Sequence, residues 1–328
     1  MSDFKTLKGL YIKHVSSDPS NLIEGQIWYN TTTQQLKVAP LIAVWSSGGN
    51  INTTRNALSG TGTLTAGLVA GGTSPGVAFE TVAEEYDGSS WTNGGSINTG
   101  RKLAATQGTQ TAGIHTGGIK APANTNTGET ETYDGSSWTE VGDLNTARYG
   151  LGGAGTSTAA VAFGGYMYDP NTYVNVSEEY DGSSWAEGDN LNTARQKVAS
   201  CGTQTAALCI GGESPPSTYL EDQVETYDGS SWTEGPDLNT GRTGHKAAGI
   251  TTAALAFGGD TPPYTGATEQ YDGTSWTETS DMSTGRGEHG EGKSGTTAST
   301  FAAGGESPRT NVTEEWTSAL TTRSVDTT

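Results

Sequence analysis

Apolar positions along this chain fall in short runs closed by glycine, and none of them follows a helical period. The clearest is Ala159-Ala160-Val161-Ala162-Phe163, preceded by Gly155-Thr156-Ser157-Thr158 and followed by Gly164-Gly165. A run of that length between turn residues predicts a strand buried on both faces, with 155 to 158 as the turn leading into it from a preceding strand. The unit returns over 202 to 212 and 249 to 259. A second unit, Tyr133-Asp134-Gly135-Ser136-Ser137-Trp138, recurs at 86 to 91, 180 to 185, 227 to 232 and 271 to 276. Its central Asp-Gly predicts an outer hairpin with an aromatic residue on each arm. Gly-Gly pairs begin at Gly71, Gly117, Gly164, Gly211, Gly258 and Gly304, at spacings of 46, 47, 47, 47 and 46 residues. A period in that range signals the blades of a propeller.

Charge follows the same frame. Ten residues after each Trp stands an arginine that usually closes Asn-Thr-x-Arg: Arg101, Arg148, Arg195, Arg242 and Arg286, with Arg55 ten residues after Trp45. Two residues before each Tyr position stands a glutamate: Glu84, Glu131, Glu178, Glu225, Glu269 and Glu314. Equal numbers in equal registers predict structural ion pairs, since a matched buried pair avoids the cost of a lone buried charge. The sharper alternative is a ring of six arginines that binds an anion in a central channel.

This ordered set of Arg, Gly-Gly, Glu-x-Tyr-Asp and Trp, over about residues 42 to 316, resembles the kelch repeat. The resemblance implies an all-β, six-bladed kelch-like β-propeller in which the arginine and glutamate stabilise each blade. The repeat starts in mid-blade. Trp45 fills a fourth-strand position with no first three strands before it, whereas the last repeat puts Trp316 in the Tyr position and Thr321 where its Trp belongs. We therefore expect the segment around Ile42 to Trp45 to pair beside Glu314 to Trp316 and close the ring, leaving no open edge.

Residues 1 to 40 stand outside the repeat. We expect strands at 9 to 15 and 25 to 30, with a turn at 31 to 34 into a third strand at 35 to 38, a small β extension with few residues to bury. The phrase Glu24-Gly25-Gln26-Ile27-Trp28-Tyr29-Asn30-Thr31-Thr32-Thr33, followed by Leu36-Lys37, resembles segments at the starts of structural proteins of tailed bacteriophages, particularly phages of marine bacteria and cyanobacteria. That resemblance implies a virion protein in three parts: a docking extension (1 to 40), the propeller (41 to 317) and a C-terminal tail (318 to 328). Other virion proteins are the partners expected through residues 1 to 40.

Composition narrows the functions. Lys and Arg number 17 against 36 Asp and Glu, a formal charge of −19, which argues against binding a nucleic-acid backbone. No apolar run approaches the ~20 residues that span a bilayer, so no membrane insertion is expected. Cys201 and Cys209 fall where the preceding repeat has Ala154 and Ala162, and read as small buried fillers. His245 and His289 stand three residues after their arginines, where the other repeats have Leu58, Ala104, Leu151 and Val198, a packing position. No zinc-type Cys/His spacing, phosphate loop or Gly-x-Ser-x-Gly elbow occurs. We expect no metal, no cofactor and no catalytic residue.

What varies is the connection from Gly-Gly to the third strand. It carries Tyr166, Tyr168, Asp169 and Tyr173 in one repeat, Tyr219 in the next and Tyr264 in the one after. Tyrosine beside Asp or Asn suits recognition of carbohydrate or protein, because the ring gives a flat apolar face and the polar groups fix orientation. The expectation is a tail or surface appendage of a virion whose loops bind a host-surface glycan or protein. Two rival readings stand beside it: a capsid-decorating or neck protein with no receptor, and an enzyme acting on surface glycans.

Overall fold

The computed structural model describes residues 12–122, 124–215, 219–306 and 308–325, and among these the regular structure is entirely β. The chain divides into two units, one of residues 1–44 with 317–328 and one of residues 45–316.

In the larger unit each repeat makes a four-stranded antiparallel sheet. The third is typical: Gly152–Thr156, Ala159–Phe163, Ser177–Tyr180 and Trp185–Glu187, hydrogen-bonded in that order. Equivalent sheets begin at Ser59, Ala105, Ala199 and Lys246, and a sixth has the order Gly290–Glu291, Ser299–Ala303, Thr313–Leu320, Leu41–Ser47. This is the arrangement of a propeller-like fold. The first strand runs through Thr156, so the turn is Ser157-Thr158 alone and shorter than the sequence suggests. Gly155 lies inside the strand with φ +113°, and a Cβ there would stand 2.2 Å from the Ala159 carbonyl, which is why glycine recurs at this position.

Small side chains make the core possible. Ala160, Val161, Ala162 and Phe163 are all fully buried, alternate members facing the sheets on either side. Tyr and Trp of the outer hairpins pack ring against ring, stacked as in Tyr133–Trp138 with ring centroids 4.8 Å apart, or tilted as in Tyr180–Trp185. Trp316, in the Tyr position of the sixth sheet, has Trp45 as its ring partner at 5.6 Å. The indole N–H often reaches the next sheet: Trp232 donates to Ser177 Oγ (3.1 Å), Trp91 to Thr313 Oγ1 (3.0 Å) and Trp45 to Thr268 Oγ1 (3.0 Å). Cys201 and Cys209 are buried free thiols, one opposite Leu208 and the other opposite Ser200 in the strand register, in separate apolar clusters. A bond between them has no geometric route.

The smaller unit has a sheet ordered Lys13–Val15, Ile27–Asn30, Gln35–Val38, Arg323–Ser324. Positions 9 to 11 of the expected first strand lie outside the described residues. Residues 318 to 328, read from sequence as a tail, contribute the strand Arg323–Ser324 beside Gln35–Val38. Trp28 is fully buried and donates to Asp18 Oδ1 (3.0 Å), as does Asn30 Nδ2 (2.7 Å), while Asn30 Oδ1 accepts the Thr32 and Thr33 amides of the turn. Those two side-chain donors, joined by Lys37, hold the Asp18 carboxyl below its usual range.

Candidate functional site

Each Asn-Thr-x-Arg connection binds a glutamate of its own sheet. Arg55–Glu84 (3.0 Å), Arg101–Glu131 (2.7 Å) and Arg195–Glu225 (2.8 Å) are buried ion pairs, as are Arg148–Glu178, Arg242–Glu269 and Arg286–Glu314. The guanidinium also donates to strand carbonyls, in the third sheet those of Gly164 and Ala162. The second carboxylate oxygen accepts the backbone N–H of the asparagine, as Glu178 does from Asn145 (2.6 Å), and Asn145 Nδ2 donates to the Trp185 carbonyl (2.9 Å). Asn52, Asn98, Asn192 and Asn239 repeat that last bond. Their part was missed from sequence, although their recurrence three residues before each arginine was its signal. Each of the six arginines bonds a carboxylate and carbonyls, which favours the structural reading over an anion-binding arginine ring.

The residues that follow each arginine build one face of the unit. The first bonds to the residue after Gly-Gly, as Tyr149 does with Tyr166 and Thr243 with Asp260. The second enters a cycle of backbone hydrogen bonds: Ala57 N donates to Glu288 O (2.8 Å), Leu103 to Ala57 (2.9 Å), Gly150 to Leu103 (2.8 Å), Lys197 to Gly150 (2.6 Å), Gly244 to Lys197 (3.0 Å) and Glu288 to Gly244 (2.8 Å). All six have left-handed backbone, φ between 51° and 64°. Lys197 and Glu288 on the cycle pair at 3.1 Å. The third residue packs beneath: Leu58, Ala104, Leu151, Val198 and His245 line a cavity of about 30 Å³, room for roughly one water. Burial, reinforced by Arg242, holds His245 neutral far below its ordinary pKa, and burial brings His289 to about 3.

The variable connections rise around this cycle. Tyr166 packs on Tyr173 (4.9 Å) and Tyr149 (5.5 Å), and Tyr149 packs on Tyr168 (5.0 Å). Tyr166, Tyr173 and Tyr264 are half-buried, and burial raises the pKa of Tyr173 and Tyr264, so both remain phenols. Tyr264 lies over Gly287, where a Cβ would stand 2.9 Å from its ring. Tyr168 and Asp169 are exposed and border a groove of about 520 Å³ with Asn124, Asn126 and Thr146. Asn126 Oδ1 is buried there without a hydrogen-bond partner. The Tyr219 side chain lies outside the described ones. The structure thus brings Tyr166, Tyr168, Asp169 and Tyr173 together and places Tyr264 on a separate connection.

Among the described residues there is no group of three or more His, Cys, Asp or Glu able to hold a metal ion, and no helix long and apolar enough to cross a membrane. Among solved structures the chain is similar to one titled "Structure of YjhT", a β-propeller-type protein, with a TM-score of 0.66 over 84% of this chain and 100% of that one at 14% identity. That likeness speaks for the fold alone. No protein-family model and no curated protein sequence matches the chain.

Proposed function

We propose that the larger unit is a six-bladed kelch-like β-propeller closed by the strand Leu41–Ser47, and that the protein is a structural component of a tailed-bacteriophage virion. Closure is supported by the Trp45–Trp316 ring contact, the Trp91 bond to Thr313 and the unbroken cycle of six backbone bonds. The virion reading rests on the segment from Glu24 to Thr33. One observation carries the division of labour. Of nine exposed large hydrophobic side chains among the described residues, Ile12, Ile23, Ile27 and Val325 lie in the smaller unit outside the closing strand Leu41–Ser47, in about a sixth of the chain. That unit is a docking module for another virion protein. The propeller is a binding rather than a catalytic element, and its Tyr168–Asp169 groove presents an aromatic ring with amide and hydroxyl groups to a host-surface glycan or protein. Charge-bearing substitutions at Ile23 and Ile27 test the docking assignment: the variant folds, but particles assembled in its presence lack it. Incorporation at the parental level would refute it.

The decoration reading has one observation in its favour, that Tyr166 and Tyr173 spend their rings on each other rather than on solvent. Particles carrying Tyr168→Ala separate the two: under the attachment reading they adsorb more slowly to host cells, under the decoration reading at the parental rate.

A further inference from the structure

The sixth repeat departs from the other five on its innermost strand. From the arginine to the first glycine of Gly-Gly there are 16 residues in the first five repeats, as from Arg148 to Gly164, and 18 in the sixth, from Arg286 to Gly304. The register locates the two extra ones. Gly290 pairs with Ala303 and Glu291 with Ala302, as Gly152 does with Phe163 and Gly153 with Ala162. Gly292 still bonds to Phe301, and the bridge between Thr296 and Ser299 matches Thr156 with Ala159. Lys293 and Ser294 are the insertion.

Both inserted side chains reach other sheets. Lys293 Nζ donates to the Gly153 carbonyl of the third sheet (3.2 Å), and Ser294 Oγ to the Gly108 carbonyl of the second (2.6 Å). They border a cavity of about 280 Å³ walled by the ends of the first strands of sheets two to five and the segment Lys293 to Thr296 of the sixth. Gln107 borders it too; it is fully buried, and neither its amide nitrogen nor its oxygen has a partner. Gln107 Nε2 lies over Gly153, where a Cβ would stand 2.6 Å from it, so the amide and the ammonium converge on one peptide. Charge is unbalanced in the same place. The Glu291 carboxylate is shared between the buried Lys293 (3.4 Å) and the partly exposed Lys246 (3.6 Å), so two ammonium groups meet one carboxylate in a protein of formal charge −19. Burial pushes the Lys293 pKa down against the pull of Glu291. A buried ammonium that shares its carboxylate and an orphaned amide N–H are each costly, and one anion between them pairs with the first and accepts from the second.

We propose that this axial cavity binds a small oxyanion, a carboxylate or a phosphate, held by Lys293 Nζ and Gln107 Nε2. The site does not depend on where in a particle the protein sits. The test is an NMR titration of the full ¹⁵N-labelled chain with sodium acetate and, separately, with inorganic phosphate. The Gln107 side-chain amide pair is identified by its disappearance in Gln107→Leu. That pair shifts saturably with one of the two anions, the responding one distinguishing a planar carboxylate from a tetrahedral oxyanion, and the response is lost in Lys293→Met. The melting temperature of the parent and of Lys13→Met, an exposed control, rises with the same anion, and that of Gln107→Leu does not, which keeps the test intact if Lys293→Met fails to fold. No saturable shift with either anion up to about 100 mM, which fills a millimolar site, or an unchanged thermal response in Gln107→Leu, overturns the proposal.

Discussion

The arginine connection and the innermost strand lie a few residues apart in every repeat, yet one is copied six times and the other is edited. Each arginine bonds a glutamate and carbonyls of its own sheet, so no neighbour can supply what a defective repeat lacks. The axial space belongs to all the sheets together. One Lys293 from the sixth and one Gln107 from the second serve it, and the equivalent positions elsewhere stay small. Needs met within a sheet are written into every repeat, whereas needs met in shared space are written once, and the single exception is where a specific function is expected.

The most severe way to break the repeated frame is to leave one sheet incomplete. Deleting residues 41 to 46 removes the partner of Trp316 and the outer strand of the sixth sheet, exposing an edge. The Trp45 site alone is worth about 3–5 kcal/mol. The expected outcome is a melting transition that is broadened or absent, followed by circular dichroism; a transition at the parental temperature would contradict the closure reading. Next comes the frame charge itself. Arg148→Ala strands the buried Glu178 carboxylate and three carbonyls, and is expected to cost about 3–5 kcal/mol in urea unfolding. Replacing both partners with apolar residues recovers part of that loss, because no lone buried charge remains. If Arg148→Ala unfolds at the parental urea concentration, the pair is not structural.

Much of this frame was legible in the sequence for a physical reason. A repeat multiplies weak signals, so one Gly-Gly or one Asp-Gly says little, but six of the first and five of the second in register predict strand order and turns. Trp45 and Thr321 even marked the unfinished sheet. What was not legible depends on contacts between repeats. The cycle through Ala57, Leu103, Gly150, Lys197, Gly244 and Glu288 has no residue type in common, because it is made of backbone atoms. The axial site was overlooked because Lys293-Ser294 lengthens the sixth repeat while the fifth sheet's connection from Gly258 to Tyr271 is shorter than those of the four sheets before it, so the Gly-Gly spacing of 46 hides it. Among the loop tyrosines, the sequence grouped Tyr166, Tyr173 and Tyr264 with Tyr168 as display residues, and only packing separates the half-buried three from the exposed one.

A milder way to sharpen the comparison uses pH. His115, His245 and His289 are buried, and burial lowers all three pKa values. Unfolded histidine takes up its proton as pH falls through about 6.5, whereas folded His289 waits until about 3. Folding stability is therefore whole above about pH 6.5 and falls below it, by about 1.4 kcal/mol per pH unit for each histidine still neutral in the fold. His245→Leu copies the Leu58 and Leu151 of other repeats and removes one titrating group. Urea unfolding between about pH 6 and 4.5, before most carboxylates titrate, is expected to show a shallower decline for the variant; parallel declines would mean that His245 is protonated in the fold.

The smallest effect on folding is expected at the loop that distinguishes the third repeat from its neighbours. Tyr168 and Asp169 belong to the same repeat as Arg148, but both are exposed, and the described tie from Tyr168 to a buried side chain is its contact with Tyr149 (5.0 Å between ring centroids). Tyr168→Ala with Asp169→Ala is therefore expected to change stability by no more than about 0.5 kcal/mol, against the several kcal/mol of Arg148→Ala. Its effect on recognition runs the other way, because an exposed aromatic ring bordering a groove is the kind of anchor that dominates binding. The groove contributes Asp169 and no basic side chain, so an uncharged glycan meets less repulsion there than an acidic one. Binding of neutral and sialylated or uronic oligosaccharides to the parent and the double variant measures this. The expected result is weak binding of the neutral set to the parent alone. Preference for the acidic set, or equal binding by the variant, would move recognition away from this groove while leaving the frame untouched.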